Sequence, residues 1–325
     1  MNYIVKDSWL SGVADAIREK RNTTEPILSD NFASEIKSIE SGGGSDSGEN
    51  KSAAFIERTA TEITAENLQG VTKIGKYAFY QYSTLEAVTI AKDIESIDRG
   101  AFKNCSKLKI VTFENDSKCN SIAPDSFYGC STLESITVPS AIKTVEGDTF
   151  NGCTKLTQFD FTNIEKVVSG SFYNTGLTSV YLPKVKENIN GAFNSCKSLV
   201  IVDAPLVPAL SNGCFSGCTA LTTVNIPSVE YIGSSDFLNC SSLVSLDLPK
   251  VTRITHSQTF KNCTALTSVT LRADTVATLN YSAAFDNTPI ANGTGFIYVP
   301  EALVEAYKSA TNWSVFAAQI RAIPE

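Results

Sequence analysis

The side chains best equipped for chemistry in this 325-residue chain are nine cysteines, a single histidine and scattered carboxylates. Cysteines can form disulfides or hold zinc, a histidine beside a nucleophile can run acyl transfer, and paired carboxylates can cleave glycosides. Their spacing argues against all of these. Seven cysteines (Cys105, Cys130, Cys153, Cys196, Cys218, Cys240 and Cys263) share one repeated phase without a C-x-x-C pair, and Cys214 is separated from Cys218 by Phe215. Zinc needs clustered ligands, so no metal or cofactor site is expected. Equivalent residues on stacked coils lie about 4.8 Å apart with parallel Cβ vectors, whereas a disulfide wants its Cβ atoms at roughly 3.5–4.5 Å. The seven therefore read as a buried ladder of reduced thiols, packing as small hydrophobes. Cys119, in the inserted loop ENDSKCNS, is expected to be the accessible thiol. His256, in THSQTF, reads as an exposed loop residue, and no carboxylate pair can be named, so no catalytic residues are expected and the chain is not read as an enzyme.

The elements that carry these residues repeat. Phe79, Phe102, Phe127, Phe150, Phe172, Phe193, Phe215, Phe237, Phe260 and Phe285 are spaced by 23, 25, 23, 22, 21, 22, 22, 23 and 25 residues, a solenoid period. The unit is F-x-x-C-x-x-L-x-x-Φ-x-Φ, with Φ apolar, as in FYGCSTLESITV and FSGCTALTTVNI. Φ-x-Φ alternates with period two, predicting one short strand per coil, ended by prolines such as Pro139, Pro183, Pro205, Pro227 and Pro249. Asn104, Gly129, Gly152, Gly217, Asn239 and Asn262 precede the cysteines and suit a left-handed turn. Small residues, Cys214 among them, usually precede the phenylalanines; Asp236 departs from that rule. A further apolar residue (Ile74, Ile97, Ile122, Val145, Val167, Leu210 and Ile232) lies five positions before most of them. One coil cannot bury this set alone, so stability must come from stacking, and the ends need caps. The fold class is thus a leucine-rich-repeat-like solenoid of short parallel strands in about ten coils.

The pattern resembles the BspA-like, or Treponema-type, leucine-rich repeats, whose coils read roughly L-x-x-I-x-L-P-x-x-V-x-x-I-G-x-x-A-F-x-x-C. The likeness runs from about Ile63 to about Val299, with departures at Tyr82, Thr175 and Asp236 and in the irregular last coil, FDNTPIANGTGFIYV.

Four segments follow: a helical attachment or oligomerisation module over 1–40, a Gly/Ser-rich linker over 41–52, the solenoid over 53–299 and a helical cap over 300–325. In the first, Asp7 or Ser8 can cap a helix striped by Leu10, Val13, Ala14 and Ile17, and Ser29 can open a second with Phe32, Ile36 and Ile39. Trp9, Leu10, Val13, Ile17, Phe32 and Ile36 are its candidate contact residues. A hairpin that small should dock on a partner or self-associate. In the cap, Leu303, Ala306, Tyr307 and Ala310, then Trp313, Phe316, Ala317 and Ile320, have helical spacing and predict two short helices, with Trp313 in the core. The ending is similar to terminal caps of such repeats in Firmicutes genomes and their prophages. VADAIREKRNTTEPILSDNFASEIKSI resembles a short module of Firmicutes phage and prophage structural proteins.

A formal charge of −7 without basic runs argues against nucleic acid and anionic membranes as partners. Charged residues interrupt the first twenty positions, so they are not expected to act as a Sec signal, and no apolar window predicts membrane insertion. The residue between the two Φ positions should face outward, giving the row Thr89, Thr112, Thr137, Asp160, Tyr181, Asp203, Asn225, Asp247, Thr270 and Tyr298. Its acidic centre with one aromatic, Asp160, Tyr181, Asp203, Asn225 and Asp247, is the candidate ligand-binding row, because solenoids bind on extended strand faces. The expected role is non-enzymatic recognition of a protein or glycan on a host surface by a phage or prophage-derived particle, made in the bacterial cytoplasm and attached to a structural protein through the N-terminal module. A bacterial cell-surface or secreted adhesin and an assembly scaffold without a receptor are the alternatives, and a homo-oligomer is compatible with each.

Overall fold

Alternation of buried and exposed residues along Φ-x-Φ sets the first wall of the molecule. In a computed structural model, which describes residues 59–324, these segments form parallel strands that stack coil upon coil. The predicted 1–40 module, with Trp9, Leu10, Val13, Ile17, Phe32 and Ile36, and the 41–52 linker lie outside the described residues. One run joins Glu62–Ile63, Ala87–Ile90, Ile110–Phe113 and Ser135–Ile136; a second joins Ser179–Tyr181, Ile201–Asp203 and Thr223–Asn225; a third joins Ser245–Leu248, Ser268–Leu271, Phe296–Val299 and Ile320–Ala322. Register is strict: Val180 stands beside Val202, and Val202 beside Val224, so inward residues stack on inward residues.

Each coil contributes a second strand as well, which corrects the expectation of one. The apolar row before phenylalanine lies on Lys73–Ile74, Ser96–Ile97 and Ser121–Ile122, then Thr144–Val145 and Lys166–Val167, then Ile189–Asn190, Ala209–Ser211, Tyr231–Ile232, Arg253–Ile254 and Thr278–Leu279. Two residues cannot show a period of two, so these strands are invisible to a pattern search; hydrogen bonding to the neighbouring coil makes them.

The third wall is built of turns. Left-handed residues bracket most phenylalanines, two before and two after: Gly100 and Asn104 around Phe102, Asp148 and Gly152 around Phe150, Gly213 and Gly217 around Phe215. All six predicted positions before the cysteines have positive φ, from 61° at Asn104 to 77° at Gly152. Gly129 needs its missing side chain twice over, since φ is +70° and a Cβ would lie 2.2 Å from Asn104 Oδ1. Through these turns the phenylalanine N–H groups donate to the next coil, as from Phe127 to the Thr149 carbonyl at 3.0 Å and from Phe150 to that of Ser171 at 2.8 Å. Phe rings stack face to face down the axis, with centroids 5.0 Å apart at Phe79–Phe102 and 5.8 Å apart at Phe193–Phe215 and Phe215–Phe237. All ten are buried.

The thiol ladder is as expected, with one addition. All nine cysteines are free and buried. Each of the seven phased Sγ atoms donates to the phenylalanine carbonyl of the preceding coil, between 2.9 Å (Cys263 to Phe237) and 3.2 Å (Cys153 to Phe127, Cys218 to Phe193). The ladder thus uses the thiol proton, and at two such slots Thr175 and Thr288 use a hydroxyl proton instead, donating within their own coils to the carbonyls of Phe172 and Phe285.

Cys119 corrects the sequence reading. It is fully buried, because Lys118 and Asn120 donate their N–H groups to the carbonyls of Lys92 and Glu95 and draw the loop onto the previous coil. It holds the place of Ile94 and Ile142, three residues before the second strand's apolar residue. Burial pushes the Cys119 and Cys196 thiols up to about 11. Since the thiolate is the reactive form, none of the nine cysteines should react with a maleimide in the folded protein, and all should do so in denaturant. Rapid labelling of several thiols under native conditions, read by intact mass, would sink this reading.

Asp236 occupies the small-residue slot before Phe237 because its carboxylate is used. Fully buried, it accepts backbone N–H groups from Gly213 (3.1 Å), Cys214 (3.0 Å) and Gly233 (2.7 Å). Burial outweighs these donors and raises its pKa to about 6. The folded state therefore holds this proton more tightly than the unfolded chain, whose Asp titrates near ~3.9, so this carboxyl's contribution to stability falls as pH rises from about 4 through 6. Urea titrations of the wild type and Asp236→Ala should show the variant gaining on the wild type across that window. A stability difference independent of pH between 4 and 7 would remove Asp236 as the cause.

At the C-terminal end the second predicted helix is absent. One helix, Val304–Ser309, is followed by the 3-10 turn Ser314–Phe316 and the strand Ile320–Ala322, which pairs with Phe296–Val299. Phe316 meets Phe285 edge-on at 5.4 Å, so the cap continues the ring column and completes an eleventh turn. Helical spacing was misleading here because the inward residues answer to a coil. Trp313 is buried, as expected.

Candidate binding face

The outward row was predicted from alternation, and its side chains do face away from the core. Tyr181 is half exposed, Asn225 and Asp247 are exposed, and Asp203 lies between them, partly covered. Register sets Tyr181 beside Asp203, and Asp203 beside Asn225, on successive strands. Asn225 Nδ2 donates to Asp203 Oδ1 at 2.8 Å. Asp247 accepts from Arg272 Nε with both oxygens at 2.9 Å, so part of the acidity that the row shows in sequence is paired.

Asp160 departs from the row. The coil TQFDF forms no strand, and the first sheet breaks between Ser135–Ile136 and Ser179–Tyr181. Two phenylalanines stand there, where other coils carry Val, Ile, Leu or Ala, or one phenylalanine alone at Phe113, and need more room. Phe159 packs at 5.3 Å on Phe150 and 5.0 Å on Phe172, and Phe161 lies 4.9 Å from Phe159. The Asp160 carboxylate accepts the Thr162 N–H at 2.9 Å, and hydrogen bonds from Thr162 hold its pKa below the ordinary value. It is exposed and outward but turned into its own loop.

Sequence reasoning passed over the apolar residues beside the row. Ile110, the first residue of its strand, and Val200 and Val244, each just before one, are exposed. Val200 and Val244 stand directly after the repeat leucine, where other coils carry Thr157, Thr178, Thr222, Thr267, Lys109 or Glu134. Aligning the coils would have found them. At the C-terminal end, Arg321 lies over the Phe296 ring at 5.2 Å and Phe296 lies 6.2 Å from Tyr298, extending the face with an aromatic and cationic cluster.

His256 is half-buried rather than exposed, with its ring 6.4 Å from Tyr281 and a buried Nδ1 that has no hydrogen-bond partner. Among the described residues no group of three or more His, Cys, Asp and Glu could hold a metal ion, and no helix is long and apolar enough to cross a membrane.

Parallel strands on two walls, turns on a third and a capped ring column define a leucine-rich-repeat-type solenoid with an extended, partly apolar strand face. Residues 72–200 and 190–299 match the family described as BspA type Leucine rich repeat region in six copies, and the chain belongs to that family. No curated protein matches it. Among solved structures it is similar to a leucine-rich repeat protein of T. pallidum (23% identity, 58% of this chain and 80% of that one, TM-score 0.43). Others similar to it are leucine-rich repeat proteins from Bacteroides ovatus (20%, 82% and 85%, 0.40) and Eubacterium ventriosum (19%, 71% and 83%, 0.47).

Proposed function

We propose that this protein is a non-enzymatic recognition protein that binds a cell-surface macromolecule through the outer face of its first sheet. One observation carries the reading: Tyr181, Asp203, Asn225 and Asp247 project outward on consecutive coils beside exposed Val200 and Val244, a mixed polar and apolar strip with no core role. Flat, extended strips of this kind suit a protein or glycan surface better than a small molecule. Membership of a repeat family whose members are typically binding proteins supports the same reading, and display as a bacterial surface or secreted adhesin fits it directly. A second reading, attachment to a phage or prophage-derived particle, is favoured by the segment VADAIREKRNTTEPILSDNFASEIKSI.

Replacing Tyr181, Asp203, Asn225 and Asp247 by Ala or Ser should leave the thermal midpoint nearly unchanged, since exposed positions contribute little to the core, and should weaken binding to target cells at least about tenfold. Unchanged cell binding removes the strand face as the site. Deleting residues 1–44 tests the carrier: loss of particle association with retained cell binding supports the particle reading, and unaltered assembly rejects it.

A further inference from the structure

We infer a second binding site, for a neutral saccharide, in the cleft where the C-terminal cap meets the second sheet. It lies away from the outer strand face of the first sheet and does not depend on that face binding anything.

The cleft follows from how the two sheets end. The first gains a last strand, Ile320–Ala322, but the second stops at Thr278–Leu279, and side chains of the cap close its edge instead. Trp313 Nε1 donates to the Ala277 carbonyl at 2.6 Å, the Tyr307 hydroxyl accepts the Ala277 N–H at 2.9 Å, and Asn312 Nδ2 donates to the carbonyls of Leu279 and Asn280 at 2.8 and 2.9 Å. Side chains fill less space than a strand would. What remains is a solvent-open cleft of about 470 Å³ between the strand and the turn Ala310–Trp313, within the size range of small-ligand sites.

Its chemistry narrows the ligand. None of the ten lining residues is an Asp, Glu, Lys, Arg or His, and the His256 ring stands 6.4 Å from that of Tyr281 without lining the cleft, so no lining side chain compensates a charged ligand's loss of water. Asn312 commits its amide nitrogen to the strand, leaving Oδ1 as an acceptor; Asn280 is exposed and spends its nitrogen only on the Thr255 carbonyl at 3.4 Å; Thr311 adds an exposed hydroxyl. Beside them Tyr281 is 53% exposed, an amphipathic ring at the mouth of the cleft. Amide oxygens and a hydroxyl next to an open aromatic ring match a sugar, which offers vicinal hydroxyls on its edges and C–H groups on its faces. A peptide adding as a strand fits poorly, because the Ala277 N–H and the carbonyls of Ala277 and Leu279, which it would pair with, are already taken by the cap.

The test is saturation-transfer NMR on the full chain with glucose, galactose, N-acetylglucosamine and their disaccharides, and with glucuronic and sialic acids as charged counterparts. At least one neutral sugar is expected to bind at millimolar concentration or better, the acids are not, and Tyr281→Ala should weaken the binding about tenfold. Tyr281 is exposed, so its thermal midpoint should equal the wild type's, which separates site loss from unfolding. The strand-face variant should bind the sugar normally, which keeps this result apart from any failure at the first sheet. No neutral sugar bound by about 10 mM, equal binding of the acids, or binding that survives Tyr281→Ala would each overturn the assignment.

Discussion

Phe215→Ala is expected to lower the free energy of unfolding by about 3–5 kcal/mol, the range for deleting a buried aromatic ring. Phe215 is fully buried, with stacked neighbours 5.8 Å away on both sides, so the lost ring leaves a hole that neither neighbouring coil can fill without breaking its own stack. Its backbone ties its coil to the next one twice: the N–H donates to the Asp236 carbonyl at 2.9 Å, and its own carbonyl accepts the Cys240 thiol at 3.1 Å. Because repeats contact only their neighbours, a defect at mid-array should also uncouple the two halves. Urea unfolding followed by circular dichroism should then show two transitions where the wild type shows one. A loss below about 1 kcal/mol would mean that the ring column does not hold the coils together.

Trp313→Ala should cost about as much, roughly 3–5 kcal/mol, but at one end. The indole is buried, lies 5.4 Å edge-on from Tyr307 and 6.1 Å from Phe285, and its Nε1 closes the Ala277 carbonyl on the edge of the second sheet. Removing it opens both the end of the ring column and a strand edge, so unfolding should start there. Hydrogen exchange should rise first in 278–299, while the coils around Phe127 keep their protection. Trp313→Phe, which keeps most of the ring and loses the donor, should cost only about 1–2 kcal/mol. Equal loss of protection along the whole array in Trp313→Ala would show that the cap is not a separate end piece.

Reading the coils one under another made much of this visible. A phenylalanine every 21–25 residues, a cysteine three positions later and a leucine three beyond that can satisfy their burial only by stacking, so the class of fold, the ring column and the reduced thiols were legible. The left-handed residues before the cysteines were legible because Gly and Asn are the residues that adopt that conformation at low cost. Cys119 was misread because an insertion looks like a loop when coils are counted from phenylalanine, although it stands in V-x-x-I phase with the next strand. Arg272 could not be assigned to Asp247, since long side chains choose partners across coils by geometry that spacing does not encode.

The candidate site divides in the same way. Period-two alternation placed Tyr181, Asp203, Asn225 and Asp247 on an outer face, because adjacent residues of a strand must point to opposite sides. Only the folded chain showed that Asp160 leaves that row, since the ring crowding of Phe159 and Phe161 depends on the coils above and below. The same holds for the cap cleft: its walls, Asn280 and Asn312, are brought together by where the second sheet runs out of strands. The sequence by itself determined the repeat, its inward residues and the face that remains outside, because each is a local consequence of chain geometry and burial. Tertiary structure decided the second sheet, the breaks in the first and the shape of the ends, because hydrogen bonds and packing between coils exist only once neighbours are in place.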